Sequence, residues 1–117
     1  MTVQLKRVYE KPSESDGARI LVERLWPRGL TKQRAAVDVW MKDVAPSAEL
    51  RKWFGHDPAK WREFQARYRK ELRGHKDAVK TLAQKCADGP VTLVFAAHDE
   101  EHNAAVVLKS VLERRGK

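Results

Sequence analysis

Cysteine is almost absent from this chain, which has one, Cys86, among 117 residues. A single cysteine excludes an intramolecular disulfide and any metal site built from several cysteines. Cys86 falls on the apolar face of a predicted helix, which indicates a core residue and not a thiol nucleophile. The lack of a disulfide framework favours a cytoplasmic protein.

Long apolar runs are also lacking. The sequence has no stretch of about eighteen consecutive apolar residues, and the first ten residues contain no apolar core of signal-peptide length. We therefore expect no association with a membrane. Acidic residues are outnumbered, with 16 Asp+Glu against 24 Lys+Arg and a net charge of +8. This excess favours an anionic partner, either a small molecule such as a nucleotide or phosphorylated metabolite, or a nucleic acid.

Two apolar periodicities alternate along the chain. Residues 3–9, 18–25, 37–44 and 91–97 have the pattern of strands, and "VTLVFAA" at 91–97 is the clearest. The intervening segments have helical signals, which predict a short turn after Thr31 and longer helices over 57–74, 76–88 and 100–115. This order predicts a single α/β domain over residues 1–117, with a small, mainly parallel sheet and helices on both faces.

Three polar segments follow the predicted strands, namely "RLWPRG", "KDVAPS" and "HDEEHN". In parallel α/β sheets, ligands collect at the carboxyl ends of the strands. We therefore expect these three segments to meet in one polar pocket.

The first segment contains Arg24, Trp26 and Arg28 on a loop that Pro27 stiffens. Two guanidinium groups held in this way suit a phosphate or a carboxylate. Alternatively, Arg24 pairs with an internal acid such as Asp43 and Arg28 lies on the surface. Trp26 is either a lid on the core or a platform on which a base stacks.

The second candidate segment runs from His98 to Asn103. Asp99, His102 and Asn103 are candidate catalytic residues, a general acid or base with an orienting amide. The alternative is that Asp99 caps the following helix and the neighbouring glutamates complement its dipole. The segment also matches H-x-x-E-H, but that zinc motif requires both histidines on a helix, and His98 is predicted on the strand side, so we predict no metal site.

The third segment adds Lys42, Asp43 and Ser47 as candidate ligand-binding residues, and His56 joins them from the next loop. Ser47 is also a good N-cap for "AELRKWF", and it lacks the elbow that a nucleophilic serine needs. Lys42 would meet an anion, whereas Asp43 would serve as a base or as the partner of Arg24.

A separate basic flank is predicted on the helix over 57–74. Arg62, Arg69 and Arg73 share one face of it, about 120° from the apolar face formed by Trp61, Phe64, Tyr68 and Leu72. Such a face either follows a nucleic-acid backbone or is simply solvated.

The ordered blocks "RVYEKP", "LVERLWPRGLTK", "WMKDVAPSAELRKWFGHDPAKWREFQARY" and "VTLVFAAHDEEHNAAVVL" resemble the domain-of-unknown-function 488 family, in its short YeaO-like branch. The resemblance covers almost the whole chain. It implies a compact α/β cytosolic domain from a bacterium or archaeon, and it implies no particular reaction. The family's motif positions include all ten of the candidate site residues named above.

The leading functional hypothesis is a pocket in which Arg24 and Arg28 hold an anionic group that faces Asp99, His102 and Asn103. Whether the pocket is catalytic stays open, as do any cofactor and the oligomeric state. The rival hypotheses are a non-catalytic nucleic-acid-binding module that uses the basic flank, and a partner-binding domain in which the arginines and acids only pair with each other.

Overall fold

The computed structural model describes residues 3–115. Four strands form one sheet in the order β1-β4-β2-β3. They are β1 (Val3–Arg7), β2 (Ala18–Leu21), β3 (Val39–Trp40) and β4 (Val91–Phe95), and every neighbouring pair is parallel. The predicted α/β class with a parallel sheet is confirmed.

Five α-helices follow or separate the strands: α1 (Lys32–Ala35), α2 (Ala48–Phe54), α3 (Trp61–Arg73), α4 (Lys76–Asp88) and α5 (Ala104–Arg115). Short 3-10 turns cover 14–16, 42–44 and 58–60. None of the helices within residues 3–115 combines the length and the apolar character needed to cross a bilayer.

The sheet divides the core into two unequal parts. On the larger side, Val91, Leu93 and Phe95 of β4 pack in one cluster with buried residues of α2 to α5. On the other side, Val94 packs with Ala35 of α1 and with the loops beside it. Helices therefore lie on both faces as predicted, but four of the five share one face.

Several predicted boundaries are wrong in informative ways. The strand over 37–44 is only Val39–Trp40, because β3 pairs with just two residues of β2 and the chain then turns into a 3-10 turn at 42–44. The helix predicted from 57 starts with a 3-10 turn, so that α3 begins at Trp61. The helix predicted from 100 begins at Ala104, and residues 100–103 form a turn in which the side chain of Asp99 binds the amides of Glu101 and His102.

A buried ion pair lies on the smaller side of the sheet. Arg19 of β2 is 3% exposed and donates through Nη1 to Oδ2 of Asp16, at 2.8 Å, while Asp16 is 2% exposed. Lys6 of β1 donates to the same carboxylate at 3.1 Å, and the amide of Ser13 completes its set of donors. Arg19 also donates to the carbonyl of Ala35.

The backbone next to this pair runs against β4. Thr92 of β4 donates its hydroxyl to the carbonyl of Asp16 at 2.7 Å. The next residue, Gly17, has φ +64°, and a Cβ there would lie 2.2 Å from the carbonyl oxygen of Pro90. Only glycine allows this approach. The ion pair therefore ties together three of the four strands.

We predict that Asp16→Asn lowers the free energy of unfolding by about 3–5 kcal/mol, because it leaves the buried guanidinium of Arg19 without a counter-charge. Urea unfolding measures the loss, and Glu14→Gln in the same turn is the exposed control.

Burial alone would raise the pKa of Asp16, but its hydrogen bonds from Ser13, Lys6 and Arg19 lower it. The stabilisation should thus be complete above the ordinary carboxyl range and be lost as the pH falls through the lower native value. Equal stability of the two variants would contradict this prediction.

Candidate functional site

A cleft of about 690 Å³ opens at the carboxyl edge of the sheet. This volume lies within the range of small-molecule sites, roughly 300–1,000 Å³. Phe54 and Phe64 form part of an apolar wall. The polar lining consists of Glu23, Arg51, Lys52, His56, His98, Asp99 and Asn103.

Glu23 stands two residues beyond β2, beside the end of β4. Its Oε1 accepts a hydrogen bond from the amide of Ala96 at 3.1 Å. Burial raises the pKa of Glu23, although the amide of Ala96 and the charges of Arg51 and His56 oppose this shift. A carboxyl group of this kind takes up a proton more readily than a solvated one does.

Arg51 of α2 lines the same cleft. Two buried Nε atoms have no hydrogen-bond partner among the residues that the structure describes, those of Arg51 and Arg69, and of these two residues only Arg51 lines the cleft. A buried N–H without a partner is costly, so such a group is a natural contact for a ligand that brings an acceptor. Sequence reasoning missed Arg51 because "AELRKWF" has the pattern of an ordinary surface helix.

The backbone of the segment that leads into α2 is held by the side chains of Arg24 and Tyr68. Arg24 donates from Nε to the carbonyl of Pro46 at 2.8 Å and from Nη2 to that of Ala45. The hydroxyl of Tyr68 donates to the carbonyl of Val44. Arg24 therefore holds a wall of the cleft, and its guanidinium pairs with backbone carbonyls and not with Asp43.

Ser47 completes this anchoring. Its hydroxyl donates to Oε2 of Glu71 at 2.6 Å and its amide donates to Oε1 at 2.8 Å. The same hydroxyl accepts from the amide of Leu50 and so caps α2. Ser47 thus positions the helix that carries Arg51.

Asp99 and Asn103 organise the entry to α5. Oδ1 of Asp99 accepts from the amides of Glu101 and His102, and Oδ2 lies 2.9 Å from Nδ1 of His102. These hydrogen bonds, first that of the Glu101 amide, lower the pKa of Asp99. Asn103 is 4% exposed, accepts from the amide of Val106 and donates to the carbonyl of Asp99.

His102 is not among the residues that line the cleft. Its ring packs edge-on against Trp61, with 5.2 Å between the ring centroids. Both His98 and His102 precede α5, so the H-x-x-E-H residues are not on a helix. Within residues 3–115, no three His, Cys, Asp or Glu side chains lie close enough together to hold a metal ion.

The remaining candidates lie elsewhere at this edge. Trp26 donates Nε1 to the carbonyl of Leu30 and packs at 5.4 Å against Trp40. Arg28 is exposed, and Lys42 lies 4.2 Å from the centre of the Trp40 ring. None of these candidates lines the cleft.

Asp43 and His56 are both exposed. Asp43 lies near the junction of α3 and α4, outside the cleft. His56 has a left-handed φ of 57° after Gly55 and does line the cleft. Of the ten predicted site residues, the structure therefore brings together His56, Asp99 and Asn103, and it adds Glu23, Arg51, Lys52 and His98.

The chain as a whole matches a known protein family. Residues 2–117 match the family model described as "Inactive DUF488-N3 subclade". The chain belongs to the DUF488 family. The predicted resemblance is confirmed.

Two relatives of this DUF488 chain cover nearly its whole length. It is 44% identical over 108 residues to "Uncharacterized protein YeaO" of Escherichia coli (strain K12), which is 92% of this chain and 94% of the relative. It is 41% identical over 113 residues to "Uncharacterized protein Rv3073c" of Mycobacterium tuberculosis (strain ATCC 25618 / H37Rv), which is 97% of this chain and 95% of the relative. No solved structure matches the chain significantly.

The basic flank on α3 of this DUF488 chain is not a free surface along its whole length. Arg62 and Arg73 are exposed, but Arg69 donates from Nη2 to the hydroxyl of Ser110 on α5 at 3.2 Å. Arg69 thus helps to dock α3 on α5.

We predict that Asn103→Ala destabilises this DUF488 chain by about 0.5–2 kcal/mol, because α5 loses its capping oxygen. Asn103→Ser keeps an oxygen that can cap the amide of Val106 and adds no charge, while it loses the amide donor to the carbonyl of Asp99, so it should cost less. Thermal unfolding of the two variants measures the difference. Equal losses in the two variants would show that the donor, and not the cap, is what matters at this position.

Proposed function

We propose that this chain binds a small anionic molecule in the cleft, a phosphate- or carboxylate-bearing compound of about nucleotide size. The observation that carries the proposal is the buried, unpartnered Nε of Arg51 in a cleft at the carboxyl ends of β2 and β4, within the part of the chain that the structure describes. A guanidinium in this position can donate two parallel hydrogen bonds to an oxyanion.

The rest of the lining supports a ligand larger than a bare ion. Lys52, His56 and His98 add donors around Arg51, while Phe54 and Phe64 offer an apolar wall to the body of the ligand. Small-molecule sites commonly combine an apolar lining with a few polar groups that fix orientation.

Binding without turnover has more support than catalysis. Asp99 and Asn103, two of the three candidate catalytic groups, spend their polar atoms on the turn that starts α5, and His102 does not line the cleft. The description of the matching subclade as inactive points the same way. A reaction that uses the Asp99–His102 pair as acid and base is the rival proposal.

We expect Arg51→Gln to abolish binding of a small anion. The screen is a thermal-shift series with inorganic phosphate, sugar phosphates and nucleoside monophosphates at low and high salt. A ligand at ~100 times its dissociation constant adds about 2.7 kcal/mol, which raises the midpoint by several degrees. Arg62→Gln is the matched control, since it removes one exposed arginine outside the cleft. Absence of any shift in the native protein, or equal shifts in the two variants, would sink the proposal.

We also expect Glu23→Gln to bind the same anion several-fold more tightly at neutral pH, because it removes a negative charge and keeps the acceptor for the amide of Ala96. In the native protein, affinity should rise as the pH falls through the raised pKa of Glu23. Hydrogen bonds lower the pKa of Asp99, so this carboxylate stays charged over the range. The other groups that line the cleft are the same in both proteins, so the difference between the two profiles reports Glu23 alone. Calorimetric titration with adenosine monophosphate from pH 5 to 8 measures the difference. Identical profiles would contradict the placement of Glu23 beside the anion.

A further inference from the structure

The large hydrophobic side chains that residues 3–115 expose are concentrated in one region. They are Tyr9, Leu25 and Trp40, with exposed fractions of 42%, 65% and 36%. Leu25 lies in the loop after β2, and both aromatic residues bond to that loop. The hydroxyl of Tyr9 donates to the carbonyl of Arg28 at 3.0 Å, and Nε1 of Trp40 donates to the carbonyl of Glu23 at 2.6 Å.

These hydrogen bonds fix the two exposed rings before any partner arrives. Trp40 is supported further by Trp26, whose ring meets it edge-on and is itself tied to the carbonyl of Leu30. A side chain that is already ordered loses little conformational entropy when it binds. Exposed aromatic rings held in this way have the features of a binding surface, since core packing does not require them to be exposed.

Positive charges accompany both rings. The guanidinium of Arg7 lies 5.1 Å from the centre of the Tyr9 ring, and Nζ of Lys42 lies 4.2 Å from that of Trp40. Arg28 is exposed on the loop. The carboxylate of Glu23 is bonded to the amide of Ala96 and lines the cleft, whereas that of exposed Glu10, the residue after Tyr9, accepts from the amide of Arg7.

We name these six residues (Arg7, Tyr9, Leu25, Arg28, Trp40 and Lys42) the aromatic surface. It extends from the end of β1 to β3, the two edge strands of the sheet. Three strand spacings of ~4.8 Å separate these edges, a span of about 14 Å. The surface is therefore long enough for several units of a polymer and wider than a single small anion needs.

We propose that the aromatic surface binds single-stranded nucleic acid. Bases stack on Trp40 and Tyr9, and Arg28 and Lys42 contact the phosphates, with a base replacing the ammonium of Lys42 over the Trp40 ring. Arg7 donates to the carbonyls of Ala96 and Ala97, so its part is to support the Tyr9 ring. Interleaved aromatic rings and cations are the general means by which proteins hold unpaired strands, because every base has a flat face and every linkage has a charge. A duplex hides its base faces, so it should bind this surface less well.

This proposal concerns a surface outside the cleft and does not depend on the small-anion proposal. The two share only Glu23, whose carboxylate faces the cleft while its carbonyl holds Trp40. A nucleoside monophosphate tests the cleft through Arg51, and an oligonucleotide tests the aromatic surface through Trp40. Either can fail alone.

The experiment measures the dissociation constant by fluorescence anisotropy, with a labelled oligothymidine of twelve nucleotides and with a duplex of the same length. Trp40→Ala should weaken binding of the single strand about tenfold, which is typical of losing one stacked base. The matched control is Trp53→Ala, since Trp53 also packs under cations, with Arg67 at 4.0 Å and Lys60 at 5.2 Å, but lies outside the aromatic surface. We expect the control to bind as the native protein does.

A second pair of variants leaves the tryptophans in place, so that a loss of binding cannot be attributed to unfolding after removal of a large side chain. Lys42→Gln and Arg67→Gln each remove one exposed cation above a tryptophan, and only the first should weaken binding and reduce its salt dependence, by roughly 0.7 units of log slope. The proposal is overturned by no binding to the single strand, by duplex binding of equal strength, or by equal losses in the surface and control variants. A selective loss in Trp40→Ala and Lys42→Gln supports it.

Discussion

The buried pair of Asp16 and Arg19 is the interaction on which the arrangement of the sheet depends. Lys6 brings β1 to the carboxylate, Arg19 brings β2, and Thr92 of β4 donates to the carbonyl of Asp16. A charge placed where water cannot reach it tolerates few alternative arrangements, since any shift that separates the partners leaves one of them unpaired. The pair therefore fixes how three parallel strands lie against one another, and with them the edge at which their carboxyl ends emerge.

That edge is divided by the loop after β2. The side chain of Glu23 turns into the cleft, whereas its carbonyl accepts from Trp40 on the opposite side. The next residues of the loop then follow the same division, with Arg24 bonded to the segment before α2 and Leu25 exposed. One short segment thereby builds a wall of the cleft and a large part of the aromatic surface. This explains why two arginines and a Trp-Pro pair end a buried strand, where a simple turn would have sufficed.

The spacing of apolar residues indicates which faces of a segment are buried. For this reason the sequence predicted the strands in their order along the chain, the parallel sheet and the position of its carboxyl edge. The partner of an arginine is not encoded in this way. Arg24 was expected to hold a ligand, yet its guanidinium reaches two carbonyls that are 21 and 22 residues away in sequence. Glu23 and Arg51 escaped notice because neither belongs to a recognisable motif, and Arg51 stands among the charged residues of an ordinary surface helix. An acidic residue directly after an apolar run was the one available signal for Glu23.

The polar groups at the end of β4 show why a sequence pattern rich in acid, histidine and amide need not be a catalytic centre. A helix begins with amides that lack partners, and Asn103 supplies such a partner to Val106 in the first turn of α5, while Asp99 binds the amides of Glu101 and His102 in the turn before it. Their lone pairs are thereby committed before any ligand arrives. Arg51 is the reverse case, because it stands in a regular helix, has no structural task at Nε within the described residues, and faces the same cleft. Which side chains of this site can bind a ligand therefore depends on which polar atoms already form hydrogen bonds with the backbone. Those hydrogen bonds can be established only once the fold is known.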